Sequence, residues 1–256
     1  MKSLMKSQIF EILRWRMIYY IFTFCIVFSF FYTFIGGDEN SPEVLGYRVA
    51  GSSSSFVFIG MIFLGFLVGN ICGNDFVDKT FNYEIMFGHT RAKIYFARII
   101  LSIVLGVIGT AIIVAVPILY ISVTKGFGDF VAVSVVVKRL LLCIFPVIRI
   151  ICGLALVTFI VKTPYVSYVL GTVLFVIGDI IVYAIDAENY FTNALSTIGV
   201  IGEAFKWSTF SLNGKYCYIY DFSMKTSEVL GVIVPSLIFS GIYIWLGYNF
   251  FKRDDI

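Results

Sequence analysis

Histidine occurs once in this sequence, at His89, and charged side chains make up only 14% of its 256 residues. A lone imidazole excludes the paired histidines of the H-E-x-x-H zinc sites, and no cytoplasmic cysteine cluster stands in for them. Of five cysteines, Cys25, Cys72, Cys143 and Cys152 fall in or at the ends of apolar runs, where free cysteine packs as a small hydrophobe. Cys217 alone falls outside, so no external disulfide forms within one chain. The shortage of charge excludes an ordinary soluble domain, in which about 25% of residues are charged. A net charge of +3 is ordinary beside anionic lipid and gives no argument for nucleic acid. No small-residue cleavage site follows the first apolar run, so no cleaved signal peptide is expected.

Hydrophobic residues make up 59% of the chain. Such a chain would expose large apolar patches in water, so its natural solvent is lipid. A helix rises about 1.5 Å per residue and needs about 20 apolar residues to cross a bilayer core. Runs at 17–35, 56–72, 94–122, 140–161, 165–185 and 229–251 meet this need. They are rich in Phe, Ile and Val without strict alternation, which favours helices over the strands of a membrane barrel. The expected fold is an all-α polytopic membrane protein with six transmembrane helices, forming one domain over residues 1–256.

Lys and Arg set the expected orientation. With both termini cytoplasmic, eleven basic residues fall inside and seven outside, and the outer ones sit mostly in longer loops. Residues 1–16 hold Lys2, Lys6, Arg14, Trp15 and Arg16, which suits an N-terminal interfacial helix on the inner leaflet of the cell membrane. The stretch "VTKGFGDFVAVSVVVKRL" has room for a short helix at the outer surface. Only "KTPY" separates the fourth and fifth runs, which makes them antiparallel neighbours. The outer segment 186–228 is the longest soluble piece, and its aromatic residues suit a membrane–water interface. Its "LNGKYCYIY" reads as a hairpin, because Asn-Gly suits a type I′ turn.

Charge concentrates in "GNDFVDKTFNYEIMFGHTRAK", residues 73–93, between the second and third runs. Gly73, Lys79 and Thr80 match a phosphate loop, but Asp78 occupies the place of its second glycine and adds a Cβ and a negative charge. The motif must also follow a strand, whereas Gly73 follows an apolar run, so nucleotide binding here is rejected. His89, beside Gly88 and Arg91, suits a solvated or capping role rather than ligation. As a helix, the stretch places Phe76, Thr80, Tyr83 and Phe87 on one side and Asp75, Asp78, Lys79 and Asn82 beside it. An aromatic ridge with a charged flank fits either the apolar groove of a partner or the inner leaflet, and the residues alone do not choose.

This pattern resembles the type-2 ABC exporter permeases. The residues that carry the likeness are Asp78-Lys79-Thr80, then Gly88-His89-Thr90-Arg91, then Lys93 and Arg98. Six spans, an interfacial helix and a large outer segment before the last span are similar too. Lys79 departs from the glycine usual at its position. The resemblance implies a cytoplasmic coupling helix at 75–87, with Asp75, Phe76, Asp78, Lys79, Thr80, Tyr83, Phe87 and Arg91 docking on a separate ABC ATP-binding subunit. It also implies a second permease, identical or homologous, and ATP and Mg held by the ATPase partner rather than by this chain. Small members that export antimicrobial peptides or give immunity to them look closest.

Arg149 and Asp179 are the ionisable residues deepest in the apolar runs, at depths of roughly 13 and 9 Å on adjacent helices. A charge at such depth costs several kcal/mol unless paired or hydrated. The two are expected to pair, or else to line a hydrated substrate path, and Pro146 is expected to kink the helix before Arg149. The function expected is therefore transport of an amphipathic peptide, drug or lipid-like substrate, not catalysis by this chain. Two alternatives stand beside it: a polytopic enzyme using Asp186, Glu188 and Glu203, and an ATPase-independent channel or carrier.

Overall fold

The computed structural model describes residues 2–35, 53–128, 133–185, 194, 196–197, 200–201, 207–212, 215–220 and 226–253. Its helices are α1 (Lys2–Arg14), α2 (Arg16–Ile35), α3 (Ser53–Val77), α4 (Thr80–Met86), α5 (Arg91–Thr124), α6 (Val133–Leu142), α7 (Ile144–Val161), α8 (Pro164–Ile185) and α9 (Thr226–Arg253). Strands β1 (Trp207–Leu212) and β2 (Lys215–Tyr220) form an antiparallel hairpin with Leu212 opposite Lys215. The Asn-Gly signal thus marks a hairpin, and apart from it the described elements are all helices, in keeping with the all-α expectation.

The bundle is built around α3 and α7. Helix α3 packs against α2, α5, α7 and α8, while α7 packs against α5, α8 and α9. Four described stretches are long and apolar enough to cross a membrane: Ile59–Val77, Arg91–Thr124, Val133–Val161 and Thr226–Arg253. The first of these is the most enclosed by protein and the last the most open. The apolar stretches Arg16–Phe31 and Pro164–Gly178 fall short of that length, so the structure supports four of the six expected spans.

Local chemistry explains where the elements begin and end. Proline has no N–H and its ring collides with the carbonyl four residues earlier. For Pro146 that carbonyl belongs to Leu142, the last residue of α6. The fourth run is therefore broken at Cys143 rather than continuous over 140–161, and the bonds Cys143 N to Arg139 O and Val147 N to Cys143 O carry the chain past the break. Lys162, in the left-handed region at φ 61°, ends α7, and Pro164 opens α8 two residues later. The short link does make α7 and α8 neighbours.

Gly69 and Gly73 lie one helical turn apart on α3, against the first turn of α8. A Cβ on Gly69 would sit 2.9 Å from the Pro164 carbonyl oxygen, and one on Gly73 would sit 3.0 Å from Pro164 Cα. The glycine that opens the near-miss phosphate loop is thus a packing residue inside a helix, where backbones meet closely.

Candidate functional site

The stretch 73–93 folds as three pieces. Helix α3 continues through Asp75 and Phe76 to Val77, the chain reverses at Asp78 and Lys79, and α4 begins at Thr80. Lys79 takes φ 55° and ψ 26°, the left-handed conformation that glycine adopts without cost. Glycine would suit this turn, and lysine tolerates it. A single coupling helix over 75–87 is therefore corrected: the left-handed residue breaks the 100° periodicity, and Phe76 no longer shares a ridge with Tyr83 and Phe87. Lys79→Gly is expected to be neutral or slightly stabilising. Lys79→Val should cost about 1–2 kcal/mol, because a branched Cβ fits this conformation worst. Thermal unfolding in detergent micelles checks both.

The second half of the stretch is capping chemistry. Gly88, at φ 84°, follows α4, with its N–H donating to the Ile85 carbonyl and the His89 N–H donating to the Glu84 carbonyl. That pair of bonds is the glycine-ended stop of a helix. His89 serves through its backbone, as a capping residue. Thr90 then caps α5, its hydroxyl oxygen accepting from the Lys93 N–H at 3.4 Å. Arg91 donates to the Lys252 carbonyl at 2.9 Å, tying this corner to the last turn of α9.

Arg98 is the hub that joins the pieces. It is 0% exposed on α5. Its Nε donates to Asp75, its Nη1 donates to Glu84 at 2.9 Å, and its guanidinium lies 4.2 Å over the ring of Phe81. Thr80 donates its hydroxyl to the other oxygen of Asp75. The amide oxygen of Gln8, on α1, turns toward the guanidinium at 3.2 Å from Nε and 3.3 Å from Nη2. One cation thus fastens α1, α3, α4 and α5, with a planar fork that lysine does not offer. Asp75 is thus buried within this tie, and the half-buried Thr80 joins it through its hydroxyl. Asp78 and Lys79 remain exposed on the turn.

Sequence reasoning placed Arg98 among the basic residues of the inner boundary and named no partner for it. The available signal was its position in the third apolar run, where a buried charge demands an opposite one. Glu84, Asp78 and Asp75 are the nearest acids in the chain, and the first and last of these are the ones that meet it.

Beside the tie lies a knot of rings. Phe76 packs on Phe81 with centroids 4.6 Å apart, Phe81 on Phe251 at 5.1 Å, and Tyr95 on Phe159 at 4.8 Å. The Tyr95 hydroxyl donates to the Ile244 carbonyl at 2.8 Å. Phe76 is therefore half-buried against the core, where it joins α3 and α4 to α7 and α9. The outward side of α4 is different: Tyr83, Met86 and Phe87 are 61, 81 and 83% exposed. Val77 is exposed nearby. Tyr83, Met86 and Phe87 form an apolar tip on a fixed root.

Arg149 is buried on α7, where its Nη1 donates to the Ala194 carbonyl at 3.1 Å and its guanidinium lies 4.3 Å over Phe239 of α9. Asp179 lies on α8, and its side chain is outside the described residues, as are Asp186, Glu188 and Glu203. Trp15 stacks on Phe66 of α3, with centroids 5.2 Å apart. Among the described residues, no three of His, Cys, Asp and Glu converge to hold a metal ion. Comparison with protein-family models and with curated proteins finds no match.

Proposed function

We propose that this chain is the membrane subunit of an ATP-driven exporter of the type-2 ABC kind, with six spans and both termini on the cytoplasmic side of the cell membrane. In this reading α1 lies at the inner interface and α4 is the coupling element. A separate ABC ATP-binding subunit holds ATP and Mg, and a second permease completes the transporter. The cargo is an amphipathic peptide, drug or lipid-like molecule moved outward.

The observation that carries this reading is the apolar tip of Tyr83, Met86 and Phe87 on a helix rooted by Arg98. Three large apolar side chains exposed on α4 and its C-cap favour a protein cover, and aromatic anchors dominate such contacts. The rigid root gives a docked partner something to push: displacement of α4 reaches α3 and α5 through the guanidinium, and α7 and α9 through the rings. No nucleotide site is needed in this chain.

ATPase activity that co-purifies with the tagged chain from its own membranes tests the reading. Tyr83→Ala with Phe87→Ala is expected to lower it about tenfold or more while leaving the chain monodisperse, because both side chains lie outside the core. Co-purifying activity that is unchanged in this double variant would remove α4 as the docking element. Phe76→Ala does not serve here, since it opens the ring knot.

A further inference from the structure

Helix α1 has two unlike faces. At about 100° per residue Gln8 and Ile12 fall on one side. Both are turned into the protein: Gln8 is 7% exposed, and Ile12 packs against the core. Lys6, Ile9, Phe10 and Arg14 fall on the opposite side, and all four are exposed. Arg16, just past the helix break at Trp15, is exposed as well. Among the described residues Lys6, Arg14 and Arg16 form no ion pair, since the two pairs present both belong to Arg98. Apolar side chains set between unspent cations are the profile of a helix lying in a bilayer face. Its rings settle among the headgroups and its charges meet anionic phosphates.

The neighbours of α1 agree with that setting. Its corner with α2 stands against the last turns of α3, where the stretch Ile59–Val77, long and apolar enough to cross a membrane, comes to its end. The inner face of α1 reaches the hub described above, with the Gln8 amide oxygen 3.2 Å from Nε and 3.3 Å from Nη2 of Arg98. The seat is not filled. A gap of about 60 Å³ lies among Gln8, Ile12 and Trp15 on one side and Asn74 and Asp75 of α3 on the other. With space beneath the helix, the hold of Gln8 on the guanidinium depends on what fixes the outer face. Arg98 in turn grips Glu84 of α4 at 2.9 Å. A line of contacts therefore runs from the exposed face of α1 through Gln8 and Arg98 to the root of the apolar tip.

We infer that α1 is a sensor of anionic phospholipid: the Lys6, Phe10 and Arg14 face seats on an anionic bilayer surface, and Gln8 passes that seating to Arg98, so that lipid tightens the hold on α4. This rests on the interfacial placement of α1 in the function proposed above, but not on the docking of an ATPase.

Hydrogen–deuterium exchange of the purified chain tests it, in nanodiscs of phosphatidylcholine alone or of phosphatidylcholine mixed with phosphatidylglycerol. In wild type, phosphatidylglycerol is expected to slow exchange in α1 and also at residues 80–86 of α4, each by about fivefold or more, the weight of at least one cation at a lipid surface. Lys6→Gln with Arg14→Gln should lose both effects. Gln8→Leu should keep the slowing in α1 and lose it in α4. Slowing confined to α1 in wild type overturns the proposal and leaves α1 at the interface. Protection of α1 that is equal in the two discs overturns the choice of anionic lipid, and free exchange of α1 in both removes its interfacial placement as well. A lipid response of α4 that survives in Gln8→Leu overturns the route through Gln8. Should Gln8→Leu fail to fold, an undiminished response of α4 in the Lys6→Gln, Arg14→Gln chain still overturns the proposal.

Discussion

Arg98→Met is expected to lower the stability of the chain by about 3–5 kcal/mol, the usual loss when one partner of a buried ion pair is removed. Asp75, almost wholly enclosed, would then hold its charge with only the Thr80 hydroxyl for company. Glu84 and Gln8 would lose the same donor. Arg98→Lys should rescue little, because a single ammonium group cannot reach both carboxylates in the plane of the fork. Asp75→Asn removes only one of the two acids and should cost less than Arg98→Met. The double variant Arg98→Met with Asp75→Asn should recover part of the loss, which separates stranded charge from lost packing. The midpoint of thermal unfolding in detergent, read by size-exclusion chromatography, decides. An Arg98→Met chain as stable as wild type would mean that no buried tie exists.

The second large effect is expected at the α3–α8 contact. Gly69→Ala and Gly73→Ala each push a methyl group against the backbone of Pro164, which cannot rotate away. Overpacking of this kind costs about 1–3 kcal/mol. A bulkier residue at either position should prevent α8 from seating. Gly178 and Gly241 provide the contrast, since a Cβ at either meets nothing within 4 Å. Their alanine variants should be neutral or gain up to about 1 kcal/mol from helix propensity. The same unfolding measurement serves, and equal losses at all four positions would sink the argument from close approach.

The sequence was most informative where one residue dictates its own geometry. Asn-Gly announced the hairpin, four residues between two apolar runs announced the α7–α8 pairing, and Pro146 announced the break before Arg149. The short helix before the fourth run was legible for the same reason. Lys79 was the opposite case: nothing in a lysine advertises a left-handed backbone, so the charged stretch read as one helix and its ridge was assembled from the wrong side chains. Phe76 and Tyr83 then looked equivalent, although one packs against the core and the other is tip. Arg98 was illegible in a different way. Near the end of an apolar run, an arginine that anchors to lipid headgroups and one that gathers carboxylates look alike until the neighbouring helices are placed. The glycines had a visible four-residue spacing, but which helix they admit is a tertiary fact.

The ring knot has a mechanical corollary. Phe251 sits near one end of α9, which at 28 residues is about 42 Å long. A rod held by rings near one tip turns a small rotation there into a larger sweep further along, resisted in α9 by the grip of the bundle on Val232, Ser236 and Phe239. A few degrees of tilt at Phe251 would carry the region of Thr226 several ångströms, while the rings themselves scarcely shift. Spin labels or crosslinks seeking motion in this molecule therefore belong near Thr226, not beside the aromatic fulcrum.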